Sequence, residues 1–331
     1  MGLSSELPEP FRTRLAELVP ERLRETVLAS FGEAKYVTVR INTLRASAAD
    51  VWAALAALEL TPSRLPWFPD AFVLPAVQRS ILMASTPYEQ GALYLQNASS
   101  LLPVAVLDPQ PEEEVLDMAA APGSKTLQIC CAMGGRGRIA AVEAVHHRFF
   151  KLKANLAAQG ARMVRCYQAD ATTLWRKVPE RFDRILLDAP CSSESRFRCD
   201  DPESYAHWSL RKVEEMARKQ KQLLHSAVRC LKPGGLLVYS TCSFSPEENE
   251  AVVSRALEVF GPALVVESFA MAAQSHLTGT PVASMPQLLE GVGAWRRERF
   301  DPSLVNAMRV APDAIYDGFF VCRLRKLRSI A

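Results

Sequence analysis

From about residue 91 onward, apolar runs of strand length alternate with stretches of helical periodicity, and this alternation constrains the fold more than any other feature of the chain. The expected strands are Val115 to Met118, Ile139 to Glu143, Met163 to Gln168, Phe182 to Asp188, Leu236 to Ser240, Ala263 to Val266 and Gly318 to Arg325. Repeated strand-helix alternation predicts an α/β fold with a doubly wound, mostly parallel, seven-stranded sheet, a Rossmann-like architecture. Such sheets place their chemistry in the loops that follow the carboxyl ends of the strands. The longest helix, Leu210 to Leu231, has Val213, Met216, Leu223, Leu224 and Val228 on its buried side; Arg211, Lys212, Arg218, Lys219 and Lys221 read as its solvated face.

The first of these loops follows Val115 to Met118. Ala119, Ala120, Ala121, Pro122, Gly123, Ser124 and Lys125 make a turn of mostly small residues, and a helix starts near Ser124. Small side chains let a ligand approach the backbone closely. A Walker-type phosphate loop would need glycines where Ala119 and Ser124 stand, and the Gly-x-Gly-x-x-Gly fingerprint is missing. A diphosphate is therefore not the expected ligand. Asp117 at one strand end and Glu143 at the next suit a ribosyl-adenine ligand without phosphate, and S-adenosylmethionine is such a ligand. Asp170, after the third strand, can accept from an adenine amino group; taken alone it reads equally well as an ordinary helix-capping aspartate.

Two further loops carry thiols. One strand ends in Asp188-Ala-Pro-Cys191-Ser-Ser, another in Ser240-Thr-Cys242-Ser, followed by Pro246-Glu-Glu-Asn-Glu250. Both cysteines should reach one rim of the sheet beside the small-residue loop. A thiol with an intrinsic pKa of about 8.5 becomes a useful nucleophile when its neighbours favour the thiolate, and Lys125 is a candidate neighbour. A disulfide between Cys191 and Cys242 is the structural alternative, disfavoured in a reducing compartment.

The eight cysteines include no Cys-x-x-Cys pair and no zinc-finger spacing, so no metal site is expected. Met1 to Glu6 lacks the apolar core of a secretory signal, no apolar run is long enough to cross a bilayer, and a cytoplasmic location is expected. The net charge of +3 permits a nucleic-acid partner without establishing one.

Ahead of residue 91, Pro10 to Phe31 has helical periodicity around Pro20, Lys35 to Leu44 alternates as a strand, a second helix runs from a Ser47 cap through Leu58, and Pro62 to Pro75 reads as a proline-punctuated connection. The expected division is a small α/β domain over residues 1–90, which either buttresses the core or helps to hold substrate, and a catalytic domain over 91–331.

The loops Ala119-Ala-Ala-Pro-Gly-Ser-Lys-Thr126, Asp188-Ala-Pro-Cys-Ser192, Ser240-Thr-Cys-Ser243 and Pro246-Glu-Glu-Asn-Glu-Ala-Val252 resemble the motifs of the Sun (NSUN-type) family of RNA cytosine-5 methyltransferases. Val39-Arg-Ile-Asn-Thr-Leu-Arg45, Leu93-Tyr-Leu-Gln-Asn-Ala-Ser-Ser100 and Asp317-Gly-Phe-Phe-Val-Cys-Arg-Leu324 extend the similarity over most of the chain. In detail the loops are most like the bacterial ribosomal RNA small subunit methyltransferase F branch. The resemblance implies that Ala119 to Lys125 line the methionine part of S-adenosylmethionine, Glu143 holds the ribose, Asp170 the adenine, and Asp188 sits between cofactor and cytosine. It further implies Cys242 as the nucleophile on cytosine C6, Cys191 as the thiol that helps to release product, and Lys125 beside the reacting base. The implied substrate is 16S ribosomal RNA, with transfer RNA as the alternative, acted on by a monomer; a non-catalytic RNA-binding ribosome-assembly factor is the competing class.

Two departures stand out. Many relatives continue the second loop as Pro-Cys-Ser-Gly-x-Gly, whereas here it reads Pro190-Cys-Ser-Ser-Glu-Ser-Arg196, which is expected to add bulk where substrate passes. The RNA-binding domain that follows the core in that branch is expected to be missing, and residues 270 to 300 read as a loop-rich insertion. Arg40, Arg45, Arg196 and Arg198, and Arg296, Arg297 and Arg299, are the candidate phosphate contacts.

Overall fold

The computed structural model describes residues 7–271 and 283–330. The expectations for Met1 to Glu6, and the 272–282 part of the loop-rich insertion, lie outside the described residues.

Pro20 divides the N-terminal helical stretch into α1 (Glu9–Leu18) and α2 (Glu21–Ala29), as a residue without a backbone N–H should. The chain then forms β1 (Val37–Ile41), α3 (Ala48–Ala56), β2 (Ser63–Arg64), β3 (Ala71–Leu74), the short helices α4 (Arg79–Met83) and α5 (Thr86–Glu89), and β4 (Leu93–Leu95). Ser47 caps α3 by accepting from the Asp50 amide at 3.2 Å. The four strands make an antiparallel sheet in the order β2-β3-β1-β4, and Val51 and Leu55 of α3 pack on Val39, Ile41, Phe72 and Leu74.

Two expectations change here. The 62–75 stretch is not a bare connection: β3 lies within it, fully buried, and a short run apolar on both faces shows no two-residue alternation to read. The small sheet also takes β4 from beyond residue 90, where β4 pairs with β1 through Val39–Leu95, Arg40–Tyr94 and Ile41–Leu93. The helices α1 and α2 do not cover this sheet. Phe11, Leu15, Val27 and Phe31 join Phe197 and Phe244 in one cluster, with the Phe11 and Phe197 ring centroids 4.8 Å apart.

After α6 (Ala98–Leu107), the large sheet is built from β5 (Glu114–Asp117), α7 (Ser124–Ala132), β6 (Arg138–Glu143), α8 (His146–Ala158), β7 (Val164–Gln168), β8 (Phe182–Asp188), α9 (Leu210–Cys230), β9 (Leu231–Thr241), α10 (Glu250–Phe260) and β10 (Leu264–Glu267). It is completed by β11 (Gln287–Glu290), β14 (Met308–Ala311) and β15 (Phe319–Lys326), while β12 (Ala294–Trp295) and β13 (Glu298–Arg299) form a separate hairpin. The strand order is β11-β14-β15-β9-β8-β5-β6-β7, and β10 pairs with the far half of β15. From β9 to β7 every pairing is parallel, and the β15 side is antiparallel.

The seven expected strands are all present, and β11 and β14 enlarge the sheet to nine. β14 escapes a pattern search because Arg309 interrupts its apolar run. That guanidinium is buried against Glu250, with Nη2 to Oε2 at 2.5 Å and Nε to Oε1 at 2.7 Å, and it also donates to the Phe244 carbonyl at 2.8 Å. On α9, the expected apolar positions are buried and Arg211, Arg218, Lys219 and Lys221 are exposed. Parallel pairing from β7 to β9 puts the carboxyl ends of five strands, and the loops after them, on one rim.

Removing one partner of a buried ion pair leaves the other charge uncompensated, at a cost of about 3–5 kcal/mol. Arg309→Ala should lose stability on that scale in urea denaturation, and a loss within the few tenths typical of surface substitutions would show that the Arg309–Glu250 pair is not a structural tie.

Candidate active site

The loop between β5 and α7 turns back under the sheet through Gly123, whose φ of +107° lies in the region that glycine tolerates. A Cβ at Gly123 would stand 3.1 Å from Leu152 Cδ1, so α8 closes directly against the turn. The Ala121–Pro122 peptide is cis. The loop is pinned by Ala120 N to Val142 O at 2.9 Å, Arg148 Nη2 to Ala121 O at 2.8 Å and Asn155 Nδ2 to Pro122 O at 2.9 Å. At its floor, Asp117 is buried and accepts from Thr126 Oγ1 at 2.7 Å; burial pushes its carboxyl up to about 6, against that hydrogen bond.

Glu143, at the end of β6, is 4% exposed. Its Oε1 accepts from the Val145 amide at 2.9 Å, while Oε2 is buried without a hydrogen-bond partner, with Arg148 Nη2 3.6 Å away. Asp170 is exposed and caps the short turn after β7, its Oδ1 accepting from Thr172 N at 2.9 Å and Thr172 Oγ1 at 2.8 Å. Of its two sequence readings, the structure displays the capping one.

Lys125 opens α7 and is 9% exposed. Its ammonium lies 2.7 Å from Asp188 Oδ2 and donates to Ser100 Oγ at 2.6 Å, while Asp188 Oδ1 accepts from Ser240 Oγ at 2.9 Å. Lys125 is therefore paired with Asp188 and not with a thiol, which corrects the expectation that it favours the thiolate. That part is taken by Arg196.

The two thiols meet with their sulfurs 3.3 Å apart, each half-buried. The hydrogen bond from Cys191 draws the Cys242 thiol down to about 6 against the opposing effect of burial, with further help from the Arg196 guanidinium. Cys191 moves the other way, well above its ordinary value, because it is the donor to Cys242, is buried and has the Glu248 carboxylate nearby. One thiolate and one thiol result.

The loops that present these thiols are held by residues to which the sequence gave no role. Glu248 accepts from the Ser192 amide at 2.8 Å, Gln220 Nε2 at 3.1 Å, Ser243 Oγ at 2.6 Å and the Ser192 hydroxyl. Glu194 accepts from Phe244 N at 2.8 Å, Ser245 N at 3.0 Å, Ser245 Oγ at 2.7 Å and Trp208 Nε1 at 3.0 Å. Asn249 bridges Thr241 Oγ1 and the Ser243 carbonyl. The departure at Ser193-Glu194-Ser195 thus does not add bulk to the substrate path through Glu194, which is 1% exposed and turned inward. Ser193 takes the left-handed conformation, φ +59°. The available signal was the pair of glutamates so close to the thiols.

The basic candidates divide. Arg40 is 1% exposed and donates to Gln96 Oε1 at 3.0 Å and Cys131 Sγ at 3.2 Å, so it is an internal strut and not a phosphate contact. Arg198 is half-buried, pairs with Asp200 and donates to the Glu33 carbonyl. Arg45 and Arg196, and Arg296, Arg297 and Arg299 on the β12–β13 hairpin, are exposed. Among the described residues no group of three or more His, Cys, Asp and Glu side chains could hold a metal, and no helix is long and apolar enough to cross a membrane.

A doubly wound sheet with an acidic, small-residue rim of this order is the fold of the S-adenosylmethionine-dependent methyltransferases. A family model described as 16S rRNA methyltransferase RsmB/F matches residues 104–325, and the chain belongs to that family. It is 36% identical over 332 residues to the ribosomal RNA small subunit methyltransferase F of Aeromonas salmonicida, covering 98% of this chain and 65% of that protein. The protein of the same name from Escherichia coli O139:H28 is 37% identical over 331 residues, with 98% and 64% covered. The chain thus spans a little under two thirds of these relatives. Among solved structures, a methyltransferase homolog protein from Pyrococcus horikoshii superposes with a TM-score of 0.73 at 27% identity, covering 97% of this chain and all of that one. NSun6 from Pyrococcus horikoshii, solved with SFG, has the same fold at a TM-score of 0.75 and 21% identity, with 97% and 98% covered.

Folding raises the Glu248 carboxyl from 4.5 to about 7, chiefly by burial and then by repulsion from Glu194. A carboxyl that holds its proton more tightly when folded contributes stability that is complete below the unfolded pKa and is lost as the pH rises through the folded one. Between pH 5 and pH 7.5 the melting temperature should therefore carry a downward contribution from Glu248, and Glu248→Gln should flatten that part of the profile. An unchanged slope in the variant would place the proton elsewhere.

Proposed function

We propose that this chain forms 5-methylcytosine in RNA, with 16S ribosomal RNA as substrate and S-adenosylmethionine as methyl donor, in the cytoplasm. The observation that carries this reading is the Cys191–Cys242 contact at the same rim as the small-residue loop, Glu143 and the Lys125–Asp188 pair. Family membership and the names of its relatives support RNA as the substrate class.

The residues present fit the cofactor. Glu143 Oε2, buried and unpartnered, is an acceptor of the kind a ribose hydroxyl requires. Ala119 to Lys125 would line the methionine part, Asp170 would accept from the adenine amino group through its second oxygen, and no phosphate needs a cradle. When bound, the cofactor supplies an electrophilic methyl on a positive sulfur.

Everything else falls to side chains of this protein. The Cys242 thiolate adds to cytosine C6, which makes C5 enamine-like and able to take a methyl group. Asp188, fixed by Lys125 and Ser240, accepts from the N4 amino group and holds a proton at N3 as charge builds on the ring. After methylation a base takes the C5 proton, the electrons of that bond re-form the C5–C6 double bond and Cys242 leaves C6 as the thiolate; Cys191, which gives up its own proton once Cys242 is bonded to carbon and no longer accepts from it, is placed to be that base. Exposed Arg45, Arg196 and the Arg296, Arg297 and Arg299 hairpin meet the phosphates. An unpaired cytosine is the better substrate, since extracting a stacked base costs a few kcal/mol.

Cys242→Ala should abolish both methyl transfer and covalent attachment to labelled RNA. Cys191→Ala should instead accumulate a protein–RNA adduct that migrates slowly on denaturing gels. An adduct with Cys242→Ala alone would exchange the two roles; tritium from labelled cofactor failing to enter any ribosomal or transfer RNA with the unaltered protein would favour RNA binding without catalysis.

The acid limb of kcat/KM reports the ionisation of the free enzyme's essential groups. It should have its midpoint at about 6, rising as Cys242 deprotonates. Arg196→Ala, which removes the opposing charge, should move it upward by roughly one pH unit. A limb unmoved by this substitution would mean that Arg196 does not act on the thiolate.

A further inference from the structure

The contact between Cys191 and Cys242 has a second chemical consequence besides the one assigned to it above. Their sulfurs, 3.3 Å apart and half-buried, are in van der Waals contact, and a disulfide of about 2.05 Å asks them to approach by a little over 1 Å more. The loops cannot easily move apart. The Ser192 amide is held by Glu248, the Ser243 hydroxyl by the same carboxylate, and the Ser195 amide donates to the Cys242 carbonyl at 3.1 Å.

We propose that Cys191 and Cys242 form a reversible oxidation site, at which a hydroperoxide converts the pair to a disulfide and so withdraws the nucleophile. The disulfide is argued from the sulfur contact; only the accompanying loss of methyl transfer rests on the function proposed above.

The chemistry proceeds in two displacements. Cys242, as thiolate, attacks the terminal oxygen of the hydroperoxide; the S–O bond forms, the O–O bond breaks, and the alkoxide leaves and takes a proton to become the alcohol. Sulfur has lost two electrons and the hydroperoxide has gained them. The Cys191 sulfur then attacks the Cys242 sulfur; the S–S bond forms, the S–O bond breaks, and the departing hydroxide takes the Cys191 proton and leaves as water. An external dithiol reverses the product by two successive exchanges.

Selectivity has two sources. The Cys242 thiol is the one drawn down among those whose ionisation is perturbed, whereas burial pushes the Cys130, Cys166, Cys230 and Cys322 thiols up, and a buried, protonated thiol reacts slowly. Cys242 is also the one with a partner sulfur already in contact. A sulfenic acid formed there is resolved before a second equivalent of oxidant carries it to the sulfinic acid, a state that thiols do not reverse. Cys191 thereby protects the nucleophile as well as assisting its release.

The test treats the full-length protein with hydrogen peroxide and maps its peptides by mass spectrometry without reduction, alongside a methyl-transfer assay. The expected product is a peptide pair joined through Cys191 and Cys242, with activity falling in step with the joined fraction and returning after dithiothreitol. Cys191→Ala should give no joined peptide and instead an oxygenated Cys242 that dithiothreitol progressively fails to restore. Cys166→Ser, which alters a half-buried thiol outside the site, should behave as the unaltered protein. Oxygenated Cys242 without a joined pair in the unaltered protein, or joining of other cysteines only, would overturn the proposal. A joined pair in a protein that transfers no methyl group before oxidation would leave the redox site standing and overturn the function instead.

Discussion

The two thiol loops converge on a single buried hydroxyl. Ser243 Oγ lies 2.6 Å from Glu248 Oε2 and 2.9 Å from Glu194 Oε2, and the Ser192 hydroxyl is 3.2 Å away. A hydroxyl has one proton to donate, so two ionised carboxylates cannot both be satisfied by it. Burial, and then repulsion from Glu194, accordingly raise the Glu248 carboxyl to about 7. This shared hydroxyl ties the loop after β8, which carries Cys191, to the loop after β9, which carries Cys242. Neighbouring residues of the same motif extend it: Glu247 pairs with Arg14 of α1 and accepts from Trp295 of the hairpin, and Glu250 pairs with Arg309 of β14. Four consecutive polar residues thus anchor the N-terminal helices, the strand additions at the sheet edge and the thiol loops to one point.

The small sheet is joined to the large one by a different device, a relay of side-chain amides. Arg40 donates to Gln96, Gln96 donates to Gln128 Oε1 at 2.8 Å, and Gln128 of α7 donates to the Leu101 carbonyl at 2.9 Å. Asn42 reaches across to the Gln159 carbonyl at 3.0 Å. Because these residues are buried and bonded across the seam, separation of the two sheets would strand several polar groups, which disfavours independent motion. The helix that carries Lys125 is therefore positioned at its start by the turn at Gly123 and at its middle by the relay at Gln128.

Strand-helix alternation made the large sheet legible, since parallel strands buried on both faces leave long apolar runs separated by amphipathic helices. The positions of Gly123, Lys125, Asp188, Cys191 and Cys242 were legible for the same reason: each follows a strand whose end is fixed by the pattern. What could not be read was the sign of each contact. Arg40 looks like any basic strand residue until burial makes it a strut, and Lys125 is taken by Asp188, which leaves Arg196, expected only as a phosphate contact, as the cation that acts on Cys242. Glu194 sits in a segment whose family counterpart is glycine-rich, so it was read as an obstruction. Its inward rotamer depends on the amides of Phe244 and Ser245, which lie some fifty residues further along the chain. No local pattern encodes that meeting.

The difference between the two thiols is likewise a property of the tertiary structure. Both follow parallel strands, both are half-buried, and their sulfurs are in contact with each other. The strand pattern alone gives them equivalent places. What separates them is that the positive guanidinium of Arg196 lowers Cys242, whereas the Glu248 carboxylate raises Cys191. Once that bias exists the hydrogen bond between the sulfurs amplifies it, because a thiol that donates is held protonated and the acceptor is held ionised. The choice of nucleophile therefore rests on one cation and one carboxylate on opposite sides of a sulfur pair, and the buried glutamate that orders the loops is also the charge that keeps the second thiol protonated.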